Sequence, residues 1–145
     1  MIYLSGSCSS EQRTLMTSIA RFLRLHNEEV YCPFELSIPD AWSYSQEDWS
    51  KKVFEADIEA LDKCDTVLVI SPGRMSSAGT NFEQGYAYAK NKKIVVVQFT
   101  RCPTSLMTYV GSTLFINTNQ DNILVDIEKV LYDESEKRNC ETTLT

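Results

Sequence analysis

Nowhere in the 145 residues does an apolar run approach the roughly 20 residues that a membrane-spanning helix needs. The chain opens on MIYLSG, a strand-like segment without the basic start and apolar stretch of a secretory leader. Membrane insertion and secretion are therefore not expected, and a cytoplasmic location is. No stripe of lysine and arginine exists either. Fourteen basic residues stand against twenty acidic ones, a formal net charge of −6, which argues against a nucleic-acid polymer as partner. A single nucleotide stays open, because one local site can hold one phosphate inside an acidic protein.

Histidine is almost missing, His26 being the only one, and it reads as a helix-end residue. The five cysteines, Cys8, Cys32, Cys64, Cys102 and Cys140, are widely spaced and form no CxxC pair. With no Cys, His and acidic cluster at ligand spacing, neither a metal nor a cofactor is expected, and the odd thiols fit a reducing compartment. Internal repeats and low-complexity tracts are also absent.

What is present is the composition of one globular domain, 43% hydrophobic and 23% charged. Met1 to Ser5 reads as a first strand, followed by the small polar run Gly6-Ser7-Cys8-Ser9-Ser10. From about Glu11, Leu15, Met16, Ile19, Phe22 and Leu23 recur at helical spacing. Glu29 to Cys32 gives a short strand stopped by Pro33, and Phe34 to Ser45 reads as a long loop. Gln46 to Lys63 is helical in pattern. Thr66 to Ile70 and Ile94 to Val97 are unbroken apolar runs, as expected of strands buried on both faces. Asn81 to Lys90 predicts a helix, Leu114 to Ile116 a weaker last strand, and Asn122 to Glu136 a closing helix. Strands alternating with helices in this way predict an α/β fold: a single-domain, Rossmann-like (flavodoxin-like) parallel five-stranded sheet with helices on both faces.

In such a fold ligands bind beyond the C-terminal ends of the strands. Three loops collect there, Gly6 to Ser10, Ser71 to Thr80 and Thr100 to Ser105, all rich in small polar residues that suit an anion or a sugar and equally suit ordinary loops. Glu83 follows the second of them. In the first turn of its helix it would stay ionised beside the positive end of the dipole, either as a ligand-facing carboxylate or as a plain helix-start residue. Asp57 borders the apolar face formed by Val53, Phe54 and Leu61, where it is either functional or salt-bridged. Phe34, Trp42 and Tyr44 either stack on a base or anchor their loop.

The string GTNFEQGYAYA, Gly79 to Ala89, preceded by ADIEALDKCD, Ala56 to Asp65, resembles the signature of the nucleoside 2'-deoxyribosyltransferase superfamily. That superfamily also contains nucleoside 5'-monophosphate N-glycosidases. The resemblance runs from IYLSGS at the start to SLMTYVG near Ser105, and it implies a catalytic domain over residues 1–137 with a polar tail over 138–145. It implies Glu83 as the nucleophile that attacks the anomeric carbon, Asp57 as the carboxylate that assists departure of the base, and Tyr3 as a tyrosine close to Glu83. Gly6 and Ser7 match the first substrate loop, and some members carry a tryptophan near Trp42. Members complete each site from a neighbouring subunit, with Ser105 matching the contributor, so at least a homodimer is expected.

Two positions depart from the transferases. Where many carry an aspartate six residues before the nucleophile, this chain has Ser77, and where they carry an asparagine before Leu-Met it has Ser105. Both resemble the hydrolase branch, in which these serines and the glycine matching Gly79 bind the 5'-phosphate. The first loop, however, offers Ser9 where the hydrolases often place an arginine, with Arg13 a turn further on. The reading is N-glycosidic cleavage of a nucleoside 5'-monophosphate. The alternatives are base exchange between deoxyribonucleosides and a nucleotide-sensing module without turnover.

Overall fold

A computed structural model describes residues 1–133. Its five strands are β1 (Ile2–Ser5), β2 (Val30–Tyr31), β3 (Thr66–Ser71), β4 (Lys93–Gln98) and β5 (Leu114–Asn117). All pair in parallel, in the order β2-β1-β3-β4-β5. This is the flavodoxin-like order, and it reverses direction between β1 and β3. The α/β expectation is met.

Helices cover both faces. Helix α1 (Ser10–Leu25) and helix α5 (Ile123–Tyr132) press Met16, Ile19, Leu23, Ile123 and Ile127 onto Ile2, Leu4, Leu68, Ile70, Val95 and Val97. On the other face, helix α2 (Gln46–Lys63) and helix α3 (Ala78–Ala89) bring Ala60, Leu61 and Ala87 against Tyr3, Val67, Val69, Ile94 and Val96. Because side chains alternate along a strand, every apolar position of β3 and β4 meets one helical layer or the other. That is why those two runs contain no polar break. The same alternation puts Tyr3 and Ser5 together on the face under α2 and α3.

Several boundaries differ from the sequence-based expectation. Helix α3 begins at Ala78 rather than Asn81, because Ser77 caps it: its hydroxyl oxygen accepts from the Thr80 amide at 3.3 Å and lies 2.7 Å from the Thr80 hydroxyl. Two short 3-10 turns, Pro33–Glu35 and Ala41–Ser43, take up part of the expected Phe34 to Ser45 loop, the first beginning at Pro33. A five-residue helix α4 (Leu106–Val110), which periodicity is too short to reveal, connects β4 to β5. The expected end of the last helix at Glu136 and the domain boundary at residue 137 lie outside the described residues. Gly73 has a left-handed φ of +89°, and a Cβ there would meet Cys102 and Pro103 at 3.0 Å. Only glycine lets the loop after β3 lie so close to the loop after β4.

Candidate active site

Helix α3 crosses the sheet face with Glu83 directed at β1. The Tyr3 hydroxyl donates to Oε2 of Glu83, and the Ser5 hydroxyl donates to Oε1 at 3.1 Å. Tyr3 and Ser5 are both fully buried. Beginning α3 three residues earlier moves Glu83 out of the first turn and into the second. The expectation of a carboxylate kept ionised at an exposed helix start is therefore corrected. Burial instead pushes Glu83 up to about 7, against the two hydroxyls that favour its charged form, with a further upward push from Asp57.

Asp57 comes from α2 and is held from β2. The Tyr31 hydroxyl donates to its Oδ1 at 2.7 Å. Burial raises the Asp57 carboxyl above the usual aspartate range, and the Tyr31 hydrogen bond opposes that shift. Strand register sets Tyr31 beside Tyr3, and the two rings stack with centroids 5.2 Å apart. The Tyr3 phenol is raised by burial and then by the Glu83 charge, with Asp57 adding to it. Two carboxylates thus stand within electrostatic range, each gripped by a tyrosine from one of two adjacent strands.

The first loop borders this pair. Burial raises the Cys8 thiol, and the charges of Glu83 and Asp57 raise it further, so the first loop is within electrostatic range of both carboxylates. Gly6 also has a packing reason, because a Cβ there would come within 2.7 Å of the buried Met16 side chain. The Ser7 hydroxyl accepts from the Ser9 amide at 3.2 Å. Gly79 lies one helical turn before Glu83 on the same face, and a Cβ there would meet nothing within 4 Å.

Ser77 is the α3 N-cap, and Ser105 is the residue that precedes α4. Ser105 is not brought to Glu83 within one chain. It lines a groove of about 430 Å³ with Asn81, Gln84, Gly85 and Tyr88, which occupy the opposite flank of α3. Trp42, on its 3-10 turn, is 87% exposed. Of the other loop aromatics, Phe34 packs against the core under α1, and Tyr44 lies beneath the Lys52 ammonium at 4.7 Å. Among the described residues no group of three or more His, Cys, Asp and Glu side chains could hold a metal.

Sequence reasoning did not single out Ser5 and Tyr31. Ser5 left a trace, since it shares a strand face with Tyr3 and is the polar residue of a buried strand. Tyr31 left none, because its pairing with Tyr3 depends on the register of β1 against β2.

Fold and site together define an α/β protein with a tyrosine-held carboxylate pair at the switch point of a 2-1-3-4-5 sheet. The chain belongs to the nucleoside 2-deoxyribosyltransferase family, whose model matches residues 2–136. The solved structure of a 2-deoxyribosyltransferase from the psychrotolerant bacterium Bacillus psychrosaccharolyticus is 25% identical, with 93% of each chain covered and a TM-score of 0.77. The Clostridium botulinum CMP N-glycosidase BcmB is 21% identical over 90% of this chain and 98% of that one, with a TM-score of 0.65. A conserved protein from Enterococcus faecalis V583 is 19% identical over the same shares, with a TM-score of 0.64. No curated protein matches the chain in sequence. The family fold therefore has neighbours of both the transferase and the N-glycosidase type.

Proposed function

We propose that this protein cleaves the N-glycosidic bond of a nucleoside 5'-monophosphate, releasing the free base and a (deoxy)ribose 5-phosphate. The observation that carries this reading is the Glu83–Asp57 pair, one carboxylate held by Tyr3 and Ser5 and the other by Tyr31. Ionised Glu83 attacks C1' while the C1'–N bond breaks, and the electron pair of that bond leaves with the base, which takes a proton from Asp57. Water then attacks C1', the glycosyl ester to Glu83 breaks, and the proton of the water returns to Asp57.

The phosphate is assigned to Ser77, Gly79 and Ser105. Where an aspartate at position 77 would oppose a dianion, the Ser77 hydroxyl, a neighbouring amide and a second hydroxyl donate to it. Gly6, Ser7 and Trp42 complete the substrate-binding set. Since Ser105 and Glu83 occupy opposite flanks of α3, Ser105 serves a nucleophile in a second copy. Leu106, Met107, Val110 and Tyr88 beside the groove are 65–78% exposed, an apolar surface suited to a homodimer. The free thiols of Cys8, Cys32, Cys64 and Cys102 fit a reducing cytoplasm.

A second reading, deoxyribosyl transfer between bases, draws support from the likeness to the Bacillus transferase, which is greater than that to the glycosidase. One experiment separates them: incubation with a panel of nucleosides and nucleoside monophosphates, with and without an acceptor base, followed by chromatography of released base. Base release from monophosphates without acceptor is expected. Faster transfer to an added base than to water would replace the hydrolase reading, and binding without turnover would make the protein a sensor.

A further inference from the structure

We propose that Tyr31 is a positioning residue for this reaction: by donating to Oδ1 of Asp57, it leaves Oδ2 as the oxygen that holds the proton and delivers it to the departing base. The inference rests on the N-glycosidic reading above and goes beyond it in assigning a role to a side chain on the second strand.

Three observations carry it. The Tyr31 bond is the hydrogen bond of the Asp57 carboxyl among the described residues, so Oδ1 is occupied and Oδ2 has no hydrogen-bond partner among them. The Tyr31 ring cannot swing freely, because it stacks on Tyr3 at 5.2 Å with an interplanar angle of 27°. Tyr3 is fully buried and donates to Glu83. The ring stack therefore links the holder of the acid to the holder of the nucleophile. A shift of Tyr31 moves the oxygen that must meet the base relative to the oxygen that must meet C1'.

A carboxylic acid has one hydroxyl and one carbonyl oxygen, and the carbonyl oxygen is the stronger acceptor, so the Tyr31 bond to Oδ1 favours the proton on Oδ2. When the C1'–N bond breaks, that proton moves to a base nitrogen, the bond's electron pair stays with the base, and Asp57 becomes a carboxylate whose Oδ1 already has a donor. The Tyr31 phenol does not itself lose its proton, since burial and the nearby Asp57 hold it well above the usual range. Tyr31 on β2, Tyr3 on β1, Cys8 in the first loop and Glu83 on α3 lie within electrostatic range of Asp57, with Arg13 on α1 acting on Cys8. Tyr31 is the one of these that hydrogen-bonds to Asp57, so it stabilises the charge left there.

The test compares wild type with Tyr31→Phe, which keeps the ring and removes the donor. The expected result is a kcat lower by roughly ten- to hundredfold with KM changed by less than about threefold, the pattern of misplacement within a formed site. Titration of the Asp57 carboxyl by carbon-13 NMR, which does not depend on activity, should move upward in Tyr31→Phe, because a donor to the charged form is lost. In the Asp57→Asn background the same substitution should add no further loss of rate. A reciprocal measurement needs no change at Tyr31: in Asp57→Asn the Tyr31 phenol should ionise at lower pH than in wild type. An active wild type with unchanged kcat and an unmoved Asp57 titration in Tyr31→Phe overturns the proposal and leaves the function standing. A wild type that releases no base from any of the panel overturns the function itself.

Discussion

Ser5 and Glu83 meet across the gap between β1 and α3, the Ser5 hydroxyl donating to Oε1 at 3.1 Å while Tyr3 occupies Oε2. Both oxygens of the proposed nucleophile are thus engaged, and both bonds favour the ionised carboxylate against the burial that opposes it. Removing one should shift that balance. In Ser5→Ala the Glu83 carboxyl rises above its value of about 7, so activity at pH 6 falls by a larger factor than activity at pH 9. A pH profile of kcat/KM for the two proteins measures this, and equal losses at both pH values would detach Ser5 from the nucleophile.

Glu83 also links activity to stability with opposite signs. Its folded value of about 7 exceeds the ordinary 4.5, so the folded state binds the proton more tightly. Stability is full below about 4.5 and is lost as pH rises through 7, whereas the attacking carboxylate forms over that same interval. Ionisation of Glu83 should accordingly raise activity as pH climbs toward neutrality, and loss of the Asp57 proton should lower it again at higher pH. Glu83→Gln removes the ionisation and should abolish base release while making the fold more stable than wild type by roughly 2–3 kcal/mol at pH 8, and by much less at pH 5. Denaturant melts at the two pH values provide the check.

Choice of substrate should follow Ser77. Ser77→Asp restores the residue type seen in transferases and sets a negative charge beside the proposed phosphate. It should cost at least about 2 kcal/mol of transition-state binding for a monophosphate and much less for the matched nucleoside. Aspartate remains a good helix N-cap, so α3 should keep its start. The ratio of kcat/KM for nucleotide and nucleoside, wild type against variant, is the measurement. A wild type that prefers the nucleoside would reverse the assignment.

The groove between α3 and α4 should close on a second copy. Met107 is 78% exposed and lines it, so Met107→Glu should weaken association without unfolding the chain. Light scattering should show a dimer for wild type and a monomer-rich mixture for the variant. Activity should fall with dissociation and recover at high protein concentration, as the proposed placement of Ser105 on Glu83 of a second copy requires. A fully active wild-type monomer would remove the shared site.

Much of this protein is determined by short-range pattern. The unbroken runs Thr66 to Ile70 and Ile94 to Val97 had to be central strands, since no amphipathic element tolerates so many apolar neighbours. The 3.6-residue recurrence in α1 and α2 marked their buried faces. Glu83, Asp57 and Tyr3 were legible as one set through the family resemblance that the string from Gly79 and the spacing back to Asp57 carry; read alone, Glu83 and Asp57 each left a structural alternative open. What the tertiary structure decided is how those groups are poised. The start of α3 depended on the Ser77 cap, which turned an ionised helix-start carboxylate into a half-buried one with a raised affinity for its proton. Tyr31 acquired its partner through the register of β1 against β2, and Ser105 was carried to the far flank of α3 by the turn into α4. Proton affinity, strand register and helix flank depend on residues distant in the chain, so local composition and periodicity contain no record of them.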